Sequence, residues 1–115
     1  MASFTTRPVV MGRKGVVASG HYLASAAGFR ILEQGGNAFD AATAVCLCQN
    51  LVEPQSCGIG GDLFAIVWDA KTSKLYGLNA SGRSPYATSI DLFRQKGLEF
   101  IPSRGPLSWS VPGCV

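Results

Sequence analysis

Residues 53–62 concentrate chemically useful groups: carboxylates at Glu53 and Asp62, a hydroxyl at Ser56, a thiol at Cys57, and three glycines, Gly58, Gly60 and Gly61, within four positions. Glycines at that density let the backbone take φ > 0 or approach another group closely, at an entropic cost. Two readings follow. One is a loop that forms part of a site; the other is a tight helix-to-strand turn whose glycines serve packing alone. Glu53 and Asp62 could work as an acid and base, or could cap backbone amides or pair with cations. Cys57 near a helix end could favour a thiolate, but no general base stands beside it in the sequence. Further on, Asn79, Ser81 and Arg83 bring an amide, a hydroxyl and a guanidinium close to the end of a predicted hairpin. His21, the single histidine, reads as a structural hydrogen-bonding residue at the head of a helix rather than a general base.

The elements that must position these groups are legible from periodicity. Residues 1–14 read as an extended arm and 15–19 as a short strand ending at Gly20. A helix is predicted over about 21–34, with Leu23, Ala27, Ile31 and Leu32 on its apolar face, and Gly35-Gly36 ends it. Asn37 is a good N-cap with Asp40 completing a capping box, and the helix that follows, 38–52, is nearly all small or apolar. A helix of that composition is expected to be covered on most sides, with Cys46 and Cys48 as small buried apolar groups. Residues 63–68 and 74–79 read as the strands of an antiparallel hairpin around the polar turn 69–73. Thr88 or Ser89 caps a short helix that Gly97 ends, and 98–107 forms an irregular connection. No repeat or linker divides the chain, so residues 1–115 read as one segment of α+β class.

Composition narrows the function classes. With a hydrophobic fraction of 47% the chain can build a core. The net charge of +3 is mild and the ten basic residues are scattered, which argues against nucleic acid as a partner. The apolar run 41–47 is too short to cross a bilayer, so no membrane role is expected. Cys46 and Cys48 stand two apart on a helix, where side chains do not face each other. With neither a CxxC pair nor a His/Cys cluster, no metal is expected. The amino-terminal residues lack a secretory pattern, and the expected location is the cytoplasm. Gly58 to Gly61 carries no Lys-Ser/Thr pair and precedes a strand, which excludes a phosphate loop and a dinucleotide fingerprint; no cofactor is expected.

Gly35-Gly36-Asn37-Ala38-Phe39-Asp40-Ala41-Ala42, followed by Glu53-Pro54-Gln55-Ser56-Cys57-Gly58-Ile59-Gly60-Gly61, resembles the amino-terminal part of the gamma-glutamyltranspeptidase family. Gly15-Val16-Val17-Ala18-Ser19, Asp91-Leu92-Phe93 and Val111-Pro112-Gly113 add to the match, which runs from about Arg7 onward. The resemblance implies an N-terminal nucleophile hydrolase, an αββα sandwich made as a precursor that cleaves itself into a large and a small subunit. It implies a threonine nucleophile at the start of the small subunit, with its free amine as base. That threonine lies beyond this chain, and neither Thr5 nor Thr6 stands in the processing context, so no catalytic residue is assigned here.

The expected partners are therefore the remainder of the large subunit, the catalytic small subunit, and a small amide or gamma-glutamyl substrate. The resemblance also implies an arginine just after the second hairpin strand that clamps the substrate's alpha-carboxylate. Aligning Pro85 with the family's proline puts Ser81 at that position, with Arg83 two residues on. A serine cannot make the bidentate charged contact, which points toward an amidohydrolase or acylase acting on another small amide, such as an oxamate-like acid, with Arg83 supplying the positive charge. The site-wall residues expected on this basis are Arg83, Ser81, Asn79, Ser56, Gly60 and Gly61. The competing expectation is a non-catalytic remnant, or a structural subunit that needs a partner chain.

Overall fold

The computed structural model describes residues 8–113, and these divide between two compact units, one up to Cys57 and one from Gly58. The first unit is a helix pair, α1 (Tyr22–Glu33) and α2 (Ala38–Val52). The second holds an antiparallel hairpin, β1 (Leu63–Asp69) and β2 (Lys74–Ala80), a short helix α3 (Ile90–Gln95) and one 3-10 turn at Pro106–Ser108. This is the predicted α+β arrangement.

Each helix end is set by the local chemistry of its sequence. His21 caps α1: its Nδ1 accepts the Leu23 N–H at 3.2 Å, and its ring stacks on Tyr22. Ser19 Oγ ties the approach by donating to the His21 carbonyl at 2.8 Å. At the other end Gly35 sits at φ +90; its N–H bonds to Leu32 O while Gly36 N–H reaches back to Ile31 O. Those two bonds make a Schellman closure, and only glycine takes that φ without steric cost. Asn37 then opens α2 through a complete capping box: Oδ1 accepts from Phe39 and Asp40, and the Asp40 carboxylate accepts the Asn37 N–H. α3 repeats the pattern, capped by Ser89 and closed by Gly97 at φ +69, with Leu98 N–H on Phe93 O.

The two helices meet through small side chains. Ala24, Gly28 and Ala41 are the buried residues of the pair. A Cβ on Gly28 would stand 2.5 Å from Val45 Cγ2 and 3.1 Å from the Ala41 carbonyl oxygen, so the helices come as close as glycine allows. Val17 closes the same spot from the preceding segment, 3.2 Å from that added carbon. Residues 15–19 thus line the helix pair but pair with no strand among the described residues, contrary to the expected short strand. A strand needs a neighbouring ladder to satisfy its backbone groups, and apolar alternation alone cannot supply one.

The expectation that α2 is covered on most sides also fails for this chain. Only Ala41 of α2 is buried; Cys46 is exposed and Cys48 half-buried, while Leu51 is 80% exposed. A single neighbouring helix covers one stripe of a helix that is apolar nearly all round. The hairpin shows the same open character. Ala65 and Val67 are half-buried on one face, while Phe64, Ile66 and Trp68 stand exposed on the other.

The hairpin register pairs Leu63 with Ala80 and Asp69 with Lys74. Its turn is organised by Asp69, which accepts the Thr72 hydroxyl at 2.7 Å and the Lys71 N–H at 3.0 Å, while Ser73 takes φ 52. The Thr72 hydroxyl first, and then the Lys71 amide, hold the Asp69 carboxyl below its ordinary value of 3.8.

Gly28→Ala forces Val45, whose rotamer is stiff in a helix, or the Ala41 backbone to shift. Overpacking of that kind costs about 1–3 kcal/mol, more than the ~1 kcal/mol gained in helix propensity. Gly28→Ala is therefore expected to lower the midpoint of thermal loss of helical circular dichroism, whereas Gly77→Ala, with open space at its Cβ, does not. The pH dependence of the turn has a defined sign. A depressed carboxyl favours the folded turn at neutral pH, and that contribution is lost as the pH falls from the unfolded value of 3.8 through the lower folded one. An acid titration followed by Trp68 fluorescence should show this loss, and Asp69→Asn should abolish the step.

Candidate functional site

In the second unit the chain passes the foot of the hairpin three times: at 58–62 before β1, at 80–83 after β2, and again at 110–113. Asp62 precedes β1, whose first residue Leu63 pairs with Ala80 at the end of β2. Its Oδ1 accepts the Gly82 N–H at 2.8 Å. The Arg83 carbonyl accepts the Val111 N–H, also at 2.8 Å. Asn79 Oδ1 accepts the Ser81 N–H at 3.0 Å, forming an Asx-type turn as the strand ends. The loop carrying Ser81 and Arg83 is thereby fixed along its backbone at three successive residues.

Glycine makes this crossing feasible. A Cβ on Gly82 would run into the Val111 carbonyl oxygen and stand 2.6 Å from Ser110 Oγ. A Cβ on Gly113 would run into the Ala80 carbonyl oxygen and lie 2.6 Å from the Gly82 nitrogen. The obstacles are mostly backbone atoms, which cannot swing aside as a side chain can.

Ser81 and Arg83 are both exposed. The Arg83 guanidinium lies 4.0 Å from the centroid of the Tyr86 ring. Stacking of this kind is worth roughly 0.5–1 kcal/mol at an exposed site, enough to bias the flexible side chain while leaving its N–H edges open. A planar cation held in this way can bind a carboxylate in a bidentate manner; Ser81 offers one hydroxyl.

The remaining predicted positions are distributed as follows. Gly60 stands against Pro112, where an added Cβ would be 3.3 Å from the proline Cβ, and the Gly61 N–H donates to Gly58 O at 3.1 Å. Neither takes a positive φ, so their role is close approach rather than left-handed backbone. Asn79, Ser81, Arg83, Gly60 and Gly61 thus belong to the second unit. Ser56 belongs to the first, where its N–H and that of Cys57 both bond to Glu53 O.

Of the two carboxylates flanking the glycines, Asp62 caps a backbone amide. Glu53 hydrogen-bonds to the Gln49 side chain on its own helix. Cys57 is half-buried. Among the described residues no group of three His, Cys, Asp or Glu side chains could hold a metal ion, and no helix is long and apolar enough to cross a membrane.

Sequence reasoning overlooked Tyr86 and the Val111 amide. A Tyr three residues after an Arg, beyond Pro85, is a weak signal. The long-range contact with 110–113 leaves none except the paired glycines. A cavity of about 780 Å³ in the same unit is lined by Ser84, Thr88, Phe93, Arg94 and Phe100, and includes neither Ser81 nor Arg83.

Comparison with known proteins agrees with these motifs. Residues 24–115 match the gamma-glutamyltranspeptidase family. The glutathione hydrolase-like YwrD proenzyme of Bacillus subtilis is 47% identical over 107 residues, covering 92% of this chain and 20% of the relative. Glutathione hydrolase 3 of Arabidopsis thaliana is 39% identical over 109 residues, covering 95% and 17%. Among solved structures, Helicobacter pylori gamma-glutamyltranspeptidase superposes with a TM-score of 0.81 at 32% identity, over 94% of this chain and 32% of that one. The Pseudomonas nitroreducens enzyme complexed with L-DON gives 0.77 at 28% identity, over 90% and 31%. The chain thus spans about a fifth of the length of the curated relatives it matches, and with its helix pair, glycine turn and hairpin it belongs to the gamma-glutamyltranspeptidase family.

Proposed function

We propose that this chain is the amino-terminal segment of the large subunit of an amidohydrolase or acyltransferase, with no turnover by itself because the nucleophilic threonine is supplied by another part of the protein. In this reading the loop 79–83 forms part of the substrate-binding wall. Arg83 meets an acidic group on a small amide substrate, and Ser81 stands where glutamyl-specific relatives carry the clamping arginine. The observation that carries the reading is the fixed loop itself: a cation stacked on Tyr86 with its backbone tied to Val111, beside a serine that can offer only a neutral hydroxyl. Several relatives are named as glutathione hydrolase proenzymes, which supports a precursor that is processed into two subunits.

The exposed apolar faces favour a second element of the reading. Leu51 on α2 and Ile66 on β1 are each at least 80% exposed, and no large side chain among the described residues is fully buried. Apolar side chains left this exposed fit a segment that other protein covers. The remainder of the large subunit and the small subunit are the proposed cover, so the segment contributes structure to a complete enzyme even where it contributes no nucleophile.

The test is to let this chain replace the matching segment of the Bacillus subtilis YwrD-like proenzyme. The hybrid is assayed on a gamma-glutamyl anilide and on oxamate, with the 115-residue chain assayed alone in parallel. The chain alone should show no hydrolysis. In the hybrid, Arg83→Ala should lower kcat/KM on the acidic amide roughly 10- to 100-fold, the scale of a lost charge-assisted contact. Ser81→Arg should raise use of the glutamyl anilide. Efficient glutamyl transfer that is blocked by changing Ser81 but not Arg83 would overturn the assignment.

A further inference from the structure

The backbone between Ser81 and Arg83 presents a conformational problem that the fold has to solve. Gly82 is required there because Val111 O and Ser110 Oγ occupy the space a side chain would need. Yet glycine is the residue with the widest choice of backbone angles, so the steric need for close crossing also removes the stiffness that would aim Arg83. Two hydrogen bonds from outside the loop restrain this point. One is the Val111 N–H to the Arg83 carbonyl, and the other is the Gly82 N–H to Asp62 Oδ1, twenty residues away in sequence. Asp62 is suited to the task because it is joined directly to Leu63, which is locked in register against Ala80. Its carboxylate is therefore referenced to the same ladder from which the loop departs.

We propose that Asp62 is a positioning residue: by accepting the Gly82 N–H it fixes the direction in which Arg83 leaves the hairpin, and so sets how well the site holds an acidic substrate. The proposal rests on the reading of Arg83 as the substrate-facing cation. Asp62 touches no substrate in this scheme. It acts through the peptide group that joins Ser81 to Gly82. The bond is also exposed, so its loss leaves no buried polar group without a partner, and its consequence should fall on the aim of Arg83 rather than on whether the unit folds.

The experiment measures KM and kcat for oxamate and for uncharged propionamide in the hybrid proenzyme carrying this chain. It compares Asp62→Ala, Asp62→Asn and Arg83→Ala. Asp62→Ala should raise the KM for oxamate roughly tenfold, the scale on which a misaimed Arg83 loses part of its charge-assisted contact with the substrate, with kcat little changed and propionamide unaffected. Asp62→Asn keeps an oxygen acceptor and should restore most of the loss. In the same hybrid proenzyme, the Gly82 amide should be protected from hydrogen exchange in the unsubstituted and Asn forms and unprotected in the Ala form.

If Asp62→Ala does not fold, Asp62→Glu displaces the acceptor by one methylene and is read in the same way. Equal loss on both substrates, no rescue by Asn, or an unprotected Gly82 in the unsubstituted hybrid overturns the proposal. An Arg83→Ala variant with unchanged oxamate KM instead overturns the functional reading on which it rests. Arg83→Ala effective with Asp62→Ala silent overturns the role of Asp62 alone.

Discussion

The arrangement of the second unit depends on one close backbone crossing, where 80–83 and 110–113 approach until only glycine fits on both sides. Gly82 faces Val111 O and Gly113 faces Ala80 O and the Gly82 nitrogen. Because the obstructing atoms are backbone, any side chain there has to separate the two segments. Their contact is sealed by the Val111 N–H on Arg83 O. The hairpin provides a rigid base for this crossing, and its foot is where both exposed polar side chains of interest, Ser81 and Arg83, emerge.

The first unit reaches close approach by the same means with different geometry. Ala24, Gly28 and Ala41 let two helices meet almost backbone to backbone, and the caps at His21 and Asn37 fix where each helix begins. Among the described residues, neither unit fully encloses a large apolar side chain. A core made of alanines stabilises an interface but buries little area, so Leu51, Ile66 and Trp68 remain facing outward. That surface is consistent with a chain that spans about a fifth of the length of its curated relatives.

Much of the fold was legible because it is encoded locally. Asn37 with Asp40, Gly35 with Gly36, and Ser89 with Gly97 each announce a helix end within a few residues, and both strand starts, at Leu63 and Lys74, follow from turn chemistry and alternation. The failures have a shared cause in long-range partnership. Among the described residues, the segment 15–19 has strand composition but no ladder to join, and α2 has the composition of an enveloped helix but packs against one helix, α1. Cys46, read as buried, is exposed for that reason. In the candidate site, Ser81, Arg83 and Asn79 could be placed at the hairpin's end from sequence. Asp62 could be named only as one of several options, because its partner lies twenty residues away. The Val111 contact, across twenty-eight residues of sequence, left no signature beyond the glycines at 82 and 113.

Whether the glycine-dependent crossing fixes the loop 80–83 can be read by hydrogen exchange on Gly82→Ala. The Val111 amide, bonded to Arg83 O in this structure, should lose its protection while the ladder amides between Leu63 and Ala80 keep theirs. Unchanged protection at Val111 in that variant would contradict it, since the added methyl would then have been accommodated without parting the two segments.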